Sequence, residues 1–154
     1  MLNFEIKIPP AIITLLSFFM IWAIASFKVF EFDWIKVLSP YLSVTLLILS
    51  ILLLLFASYS FYKSKTSFNP ISPENASSLV TSGIYRISRN PMYAGFLLLL
   101  VAWWLYLGEL LSVIGCLFFI SYLNKFQIES EERVLEKLFG EEYRLYKSRV
   151  RRWF

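Results

Sequence analysis

The chain has 154 residues, 58% of them hydrophobic and 19% aromatic, with a formal net charge of +4. That apolar share exceeds the roughly 45–50% of ordinary soluble domains, so lipid is the expected solvent and the basic excess is expected to serve loops and anionic lipid, not nucleic acid. There is no histidine, and Cys116 is the single cysteine, which excludes Ser-His and Cys-His catalytic pairs, histidine metal ligands and any intrachain disulfide.

Charged residues punctuate the apolar runs. Lys7 and Lys28 bracket a charge-free stretch, expected to span the membrane over 8–27. About 20 apolar residues suffice for a hydrocarbon core of ~30 Å. Ala23-Ile24-Ala25 has the small-residue character of a leader-peptide cleavage site; the reading taken is a retained span. Lys36 and Lys63 bracket a second span over 37–62. Between Arg89 and Lys125 only Glu109 interrupts a run too long for one crossing. Gly108 supplies a turn residue, and a carboxylate is costly at a bilayer centre. The run therefore reads as a tight helical hairpin with spans 91–107 and 110–126 and Glu109 at its tip, in water.

The expected fold is an all-α integral membrane protein with four transmembrane helices, a cytoplasmic loop 63–90 and cytoplasmic C-terminal helices over 127–154, one domain in all. Lys63, Lys65, Arg86, Arg89, Lys125 and the basic tail fall on one side, with only Lys28 and Lys36 opposite. The positive-inside rule then places both termini in the cytoplasm, for a bacterial protein at the inner membrane. Loop 63–90 carries the turn signals Asn69-Pro70 and Ser72-Pro73. In the tail, Gly140 after Leu138-Phe139 predicts a break between two short helices. Arg149 to Phe154 reads as an interfacial anchor on anionic lipid.

The densest segment is 83–95, Gly-Ile-Tyr-Arg-Ile-Ser-Arg-Asn-Pro-Met-Tyr-Ala-Gly, immediately before an apolar run. Tyr93 lies as far before the hairpin apex as Lys125 lies after it. Folding the hairpin brings 89–95 beside 125–132, so the Tyr-Pro-Gly segment and the acidic pair Glu131-Glu132 can share one site. Taken singly, these residues have ordinary readings. Arg86 and Arg89 can be membrane-flanking snorkellers, Trp103 and Trp104 an interfacial belt, and Glu131-Glu132 a solvated helix face. Phe139, Tyr143, Tyr146 and Cys116 read as core. Their joint occurrence favours a site.

Leu79-Val80-Thr81-Ser82-Gly83-Ile84-Tyr85, then Arg89-Asn90-Pro91-Met92-Tyr93-x-Gly95, then Glu131-Glu132 and Phe139-Gly140-x-x-Tyr143-x-x-Tyr146, resemble the isoprenylcysteine carboxyl methyltransferases and related phospholipid methyltransferases, in particular the small bacterial members. The resemblance covers 77–152. It implies S-adenosylmethionine as methyl donor, S-adenosylhomocysteine as product, a cytoplasmic cofactor mouth, a lipidic or lipid-modified acceptor entering from the membrane, and no metal. Cofactor positions carried over are Ser77, Ser78, Leu79, Val80, Gly83, Tyr85, Asn90, Pro91, Met92, Tyr93, Glu131 and Glu132. Arg89 and Gln127 are the candidates for meeting the acceptor.

For such a donor, Glu131 suits an ammonium or ribose hydroxyls, and the first turn of the Pro91 helix suits a carboxylate. Tyr85 and Tyr93 suit a sulfonium or adenine face. Two positions depart from the family pattern: Asn90 replaces its histidine, and Gln127 replaces the arginine of the eukaryotic prenylcysteine enzymes. The expected acceptor is a prenyl- or alkylcysteine carboxylate. The alternatives are a phospholipid amine or an apolar thiol, and, from another class, a non-catalytic module binding lipid or a partner.

Overall fold

Two of the apolar helices begin on a proline, whose missing amide needs no acceptor there and whose fixed φ already suits a helix. These are α1, Pro10–Ala25, and α3, Pro91–Leu107. The structure, a computed structural model, describes residues 8–30, 35–64 and 78–154, with 35–38 described by backbone alone. Lys7 and residues 65–77 of the loop, with Lys65, the turn signals and the expected cofactor residue Ser77, lie outside the described residues. Between α1 and α3 runs α2, Ile35–Lys63, followed by a 3-10 turn at Gly83–Arg86. After α3 come a second 3-10 turn at Leu111–Val113, α4 at Ile114–Tyr122, a π-helical segment at Leu123–Ile128 and α5 at Glu129–Arg149. Among the described residues all regular elements are helical, apart from an isolated parallel bridge between Ser88 and Arg151.

The hairpin between α3 and α4 forms where Gly108 turns left-handed, at φ +67°, with its N–H donating to the Trp104 carbonyl. Its tip differs from expectation. Glu109 is only 2% exposed, not in water. Its Oε1 accepts from the Phe30 N–H at 3.2 Å and its Oε2 from the Ser112 N–H at 2.7 Å. The Leu110 N–H returns a bond to the Phe30 carbonyl, and Trp104 Nε1 donates to the Glu109 carbonyl. Backbone donors thus replace the water that the carboxylate would otherwise need. The tip is riveted to the chain just after α1, and Trp104 serves that rivet.

Small residues let the helices close. A Cβ on Gly95 would stand 2.8 Å from Leu54 of α2, and Ser50 Oγ donates to the Gly95 carbonyl at 2.8 Å. A Cβ on Gly115 of α4 would meet Ile21 of α1 at 2.4 Å and the Ser17 carbonyl at 3.1 Å. The core between α1, α3 and α4 contains Ile13, Ile21, Leu100, Phe119 and Leu123. Phe18 stacks on Trp103 with centroids 4.4 Å apart, so Trp103 is bound into helix packing.

The outward faces of α1 and α2 carry Leu15, Phe19, Tyr41, Leu55 and Tyr59, each more than 60% exposed. Two helical stretches, Ser39–Lys63 and Leu111–Arg149, are long and apolar enough to cross a membrane. Helices α1 and α3, of 16 and 17 residues, are shorter. The apolar part of the second stretch ends near Phe126, and the charged α5 follows. Gly140 kinks α5 at φ +51°, where a break was expected.

Candidate active site

The site forms where the first turns of α3 and α5 meet. Tyr93 stands one turn into α3, and its hydroxyl donates to Glu131 Oε1 at 2.5 Å. Gln127 Nε2 donates to the same oxygen at 2.6 Å. The hairpin thus brings 89–95 and 125–132 together, as their spacing from the apex requires. Gln127 sits in the π segment. Such a turn holds one residue more than an α turn, and here it lets Leu123, Gln127 and Ile128 all be buried before α5 begins. Nothing in the sequence signals this segment.

Glu131 and Glu132 are both buried, so neither is a solvated helix face. Burial pushes the Glu131 carboxyl up to about 7, the hydrogen bonds from Gln127 and Tyr93 pull it back down, and neighbouring Glu132 raises it. Glu132 is neutralised by cations. Arg152 meets it with two bonds, Nε to Oε1 at 3.1 Å and Nη2 to Oε2 at 2.9 Å. Arg89 Nη2 lies 3.2 Å from Oε1, and Lys147 Nζ 3.7 Å from Oε2. Arg89 is not a snorkeller. Its guanidinium is buried against the Tyr143 side chain, which it bonds, and its Nε and Nη1 have no hydrogen-bond partner among the described residues.

The end of the chain is not a free interfacial anchor. Arg89 N–H donates to the Arg151 carbonyl at 3.0 Å, and Asn90 Nδ2 to the Arg152 carbonyl at 2.9 Å. Trp153 Nε1 donates to Asn124 Oδ1 at 3.0 Å. The physical reason is the unsatisfied backbone ahead of α3, which the returning chain pairs. Over 149–154, Arg149, Arg151 and Phe154 keep exposed side chains.

A second cluster adjoins the first. Tyr85 packs with Val80, Ala57, Phe61 and Met92. Tyr146 donates its hydroxyl to the Tyr85 carbonyl at 2.7 Å. The Tyr85 hydroxyl is held far up by burial first, with the charges of Tyr146 and Glu131 adding to it. Tyr143 and Tyr146 are buried, as core residues were expected to be. Ser78 Oγ donates to the Ser64 carbonyl at 3.3 Å, which ties the stretch entering Leu79 to the end of α2. Pro91 is buried at the start of α3. Gly83, at φ +61°, and Gly95 are both approached by α2, through Ser60 and Leu54. Beside Tyr146 lies a cavity of about 460 Å³ lined by Thr81, Arg86, Glu142, Leu145, Arg149 and Val150. None of these lining residues is among the cofactor positions carried over from the resemblance.

The family described as phospholipid methyltransferase matches residues 38–142. An uncharacterized protein of Haemophilus influenzae is 53% identical over 62 residues, 40% of this chain and 98% of that protein. Protein-S-isoprenylcysteine O-methyltransferase B of Arabidopsis thaliana is 34% identical over 88 residues, 57% of this chain and 45% of that protein. A probable protein-S-isoprenylcysteine O-methyltransferase of Oryza sativa subsp. indica is 34% identical over 77 residues, 50% and 40% of the two chains. The chain thus spans less than half the length of these plant relatives. With its outward apolar helices and a match across most of its length, the chain is a membrane protein that belongs to the phospholipid methyltransferase family, in the superfamily that includes the isoprenylcysteine carboxyl methyltransferases.

Proposed function

We propose that this protein is a single-domain membrane methyltransferase that moves the methyl group of S-adenosylmethionine to an amphiphilic acceptor, most like a prenyl- or alkylcysteine carboxylate. Four crossings, both termini in the cytoplasm and a bacterial inner-membrane location complete the reading. The observation that carries it is the buried Glu131 carboxylate, aimed by Tyr93 and Gln127, with the half-unpartnered guanidinium of Arg89 on the adjoining Glu132.

The residues present fit the donor. A buried carboxylate suits its ammonium or ribose hydroxyls. When bound, the donor supplies an electrophilic methyl on a sulfonium, and transfer to a carboxylate leaves a methyl ester and S-adenosylhomocysteine. Glu131 binds the donor's polar end, its position fixed by two hydrogen bonds to one oxygen. The free Nε and Nη1 of Arg89 orient the acceptor carboxylate. Tyr85, Asn90, Pro91, Met92 and the backbone from Ser78 to Gly83 wall the donor. A carboxylate arrives already ionised, so no general base is needed, and positioning with exclusion of water carries the rate.

The family match to phospholipid methyltransferases keeps a second acceptor, a phospholipid amine, in view. The products separate the two, since an ester is base-labile and a methylated amine is not.

Calorimetric titration of S-adenosylmethionine and S-adenosylhomocysteine into the purified protein tests the reading. Saturable binding is expected, weakened by at least tenfold, or about 1.4 kcal/mol, in Glu131→Ala. Equal binding in the variant, or none in detergent and in lipid nanodiscs, would favour a non-catalytic lipid- or partner-binding module.

A further inference from the structure

Three cations converge on Glu132, and they share it unequally. Arg152 takes both oxygens with its fork. Lys147 stands back at 3.7 Å. Arg89 reaches Oε1 through Nη2 alone, at 3.2 Å. A buried guanidinium ordinarily lays two N–H groups on a carboxylate. Arg89 also bonds the Tyr143 side chain, yet its Nε and Nη1 stay buried without a partner among the described residues. Competition explains this: the fork of Arg152 already fills the carboxylate.

Main-chain contacts hold Arg152 in that place. The Arg151 carbonyl accepts the Arg89 N–H, and the Arg152 carbonyl accepts Asn90 Nδ2. Ser88 Oγ approaches the same Arg152 carbonyl at 3.4 Å and accepts the Asn90 N–H at 3.1 Å. Trp153 is fastened to Asn124, within the π segment that carries Gln127. The strap Arg151–Trp153 therefore grips both flanks of Arg89, by backbone on one side and through Glu132 on the other.

We propose that Arg152 is a positioning residue for Arg89: by occupying Glu132, it keeps the Nε and Nη1 donors of Arg89 free for the carboxylate of the methyl acceptor. This rests on the methyltransferase reading and deepens it. Asn90 then serves the strap through its Nδ2.

The test uses the full chain in lipid nanodiscs, with N-acetyl-S-farnesylcysteine as acceptor probe and radiolabelled methyl transfer from S-adenosylmethionine. In Arg152→Ala the fork of Arg89 swings fully onto Glu132. KM for the probe rises by about tenfold, while kcat and affinity for S-adenosylhomocysteine stay near wild type. Arg152→Lys, which fills one oxygen, falls between. Removing the competing carboxylate as well, in Glu132→Gln/Arg152→Ala, brings KM for the probe back below that of the single variant, read at saturating S-adenosylmethionine because Glu132 is itself a cofactor position. A merely structural role predicts instead that the double variant is no better than the single one. The Arg152 side chain is 31% exposed, so the single variant is expected to fold, and its melting temperature checks this.

If wild type fails to bind S-adenosylhomocysteine, the methyltransferase reading falls and takes this proposal with it. If it binds but leaves the probe unmethylated, Arg89 does not hold this acceptor and the role of Arg152 is wrong. If the probe is methylated and Arg152→Ala keeps its KM, or the double variant fails to recover, the proposal alone is overturned.

Discussion

Glu131 is buried at a cost that its neighbours only partly offset, and this gives the site a pH signature. Burial lifts its carboxyl from an ordinary 4.5 to about 7, against the two hydrogen bonds that pull it down. The folded chain therefore takes up this proton more readily than the unfolded chain. The stability contributed by Glu131 is full below about 4.5 and is lost as pH rises through about 7. Binding runs the other way, because an ammonium or a ribose hydroxyl is held by the carboxylate form. Affinity for S-adenosylhomocysteine, measured by titration between pH 6 and 8, is expected to climb with pH and flatten above neutrality, and the slope should vanish in Glu131→Gln. A slope unchanged in that variant would sink this assignment of Glu131. The trio itself was legible in the sequence: Gln127 and Glu131 are one helical turn apart, and the hairpin count returns Tyr93 to them. The fourth partner was not. Arg152 reaches Glu132 by a return of the chain end, and an Arg-Trp cluster reads equally well as a lipid anchor by composition.

Elements close on one another through glycine, and two glycines allow a graded test. At Gly95 the obstacle to a Cβ is the Leu54 side chain at 2.8 Å, which can move by a rotamer change. At Gly115 the obstacles are Ile21 at 2.4 Å and the Ser17 carbonyl at 3.1 Å, and the second belongs to the backbone of α1. Gly115→Ala is therefore expected to destabilise more than Gly95→Ala, within the ~1–3 kcal/mol typical of overpacking. Thermal unfolding in a mild detergent reads the difference, and the reverse order would contradict this account of α1 against α4. The helix start at Pro91, the turn at Gly108 and the kink at Gly140 were readable because each depends on local backbone chemistry. The π segment at Leu123–Ile128 was not, since it answers to packing on both of its sides. Glu109 escaped for a related reason. A lone acid at a hairpin tip reads as solvated, and only the fold brings the Phe30 N–H within reach of it.

At the scale of the molecule, the surface is inverted relative to a water-soluble bundle. Leu15, Phe19, Leu55 and Tyr59 face outward, while Ser50, Ser60 and Gln127 are buried. Inside, Ser50 bonds across to the Gly95 carbonyl and Ser60 back to the Phe56 carbonyl of its own helix, while apolar groups outside meet lipid. Helices α1 and α3 are shorter than the two stretches that reach the length of a crossing. The proposed arrangement of four crossings makes a sharper claim, that Ser26 lies on one side of the membrane and Ser148 on the other. The single cysteine of the chain makes this testable, because Cys116 is only 3% exposed and so gives a quiet background for labelling. Both serines are exposed. In right-side-out vesicles from bacterial cells, a membrane-impermeant maleimide is expected to label Ser26→Cys at once and Ser148→Cys only after the vesicles are opened. Inverted vesicles should give the opposite pattern. Labelling of both from the same side would break the even-crossing topology, and with it the placement of Glu131 and Arg89 at the cytoplasmic mouth.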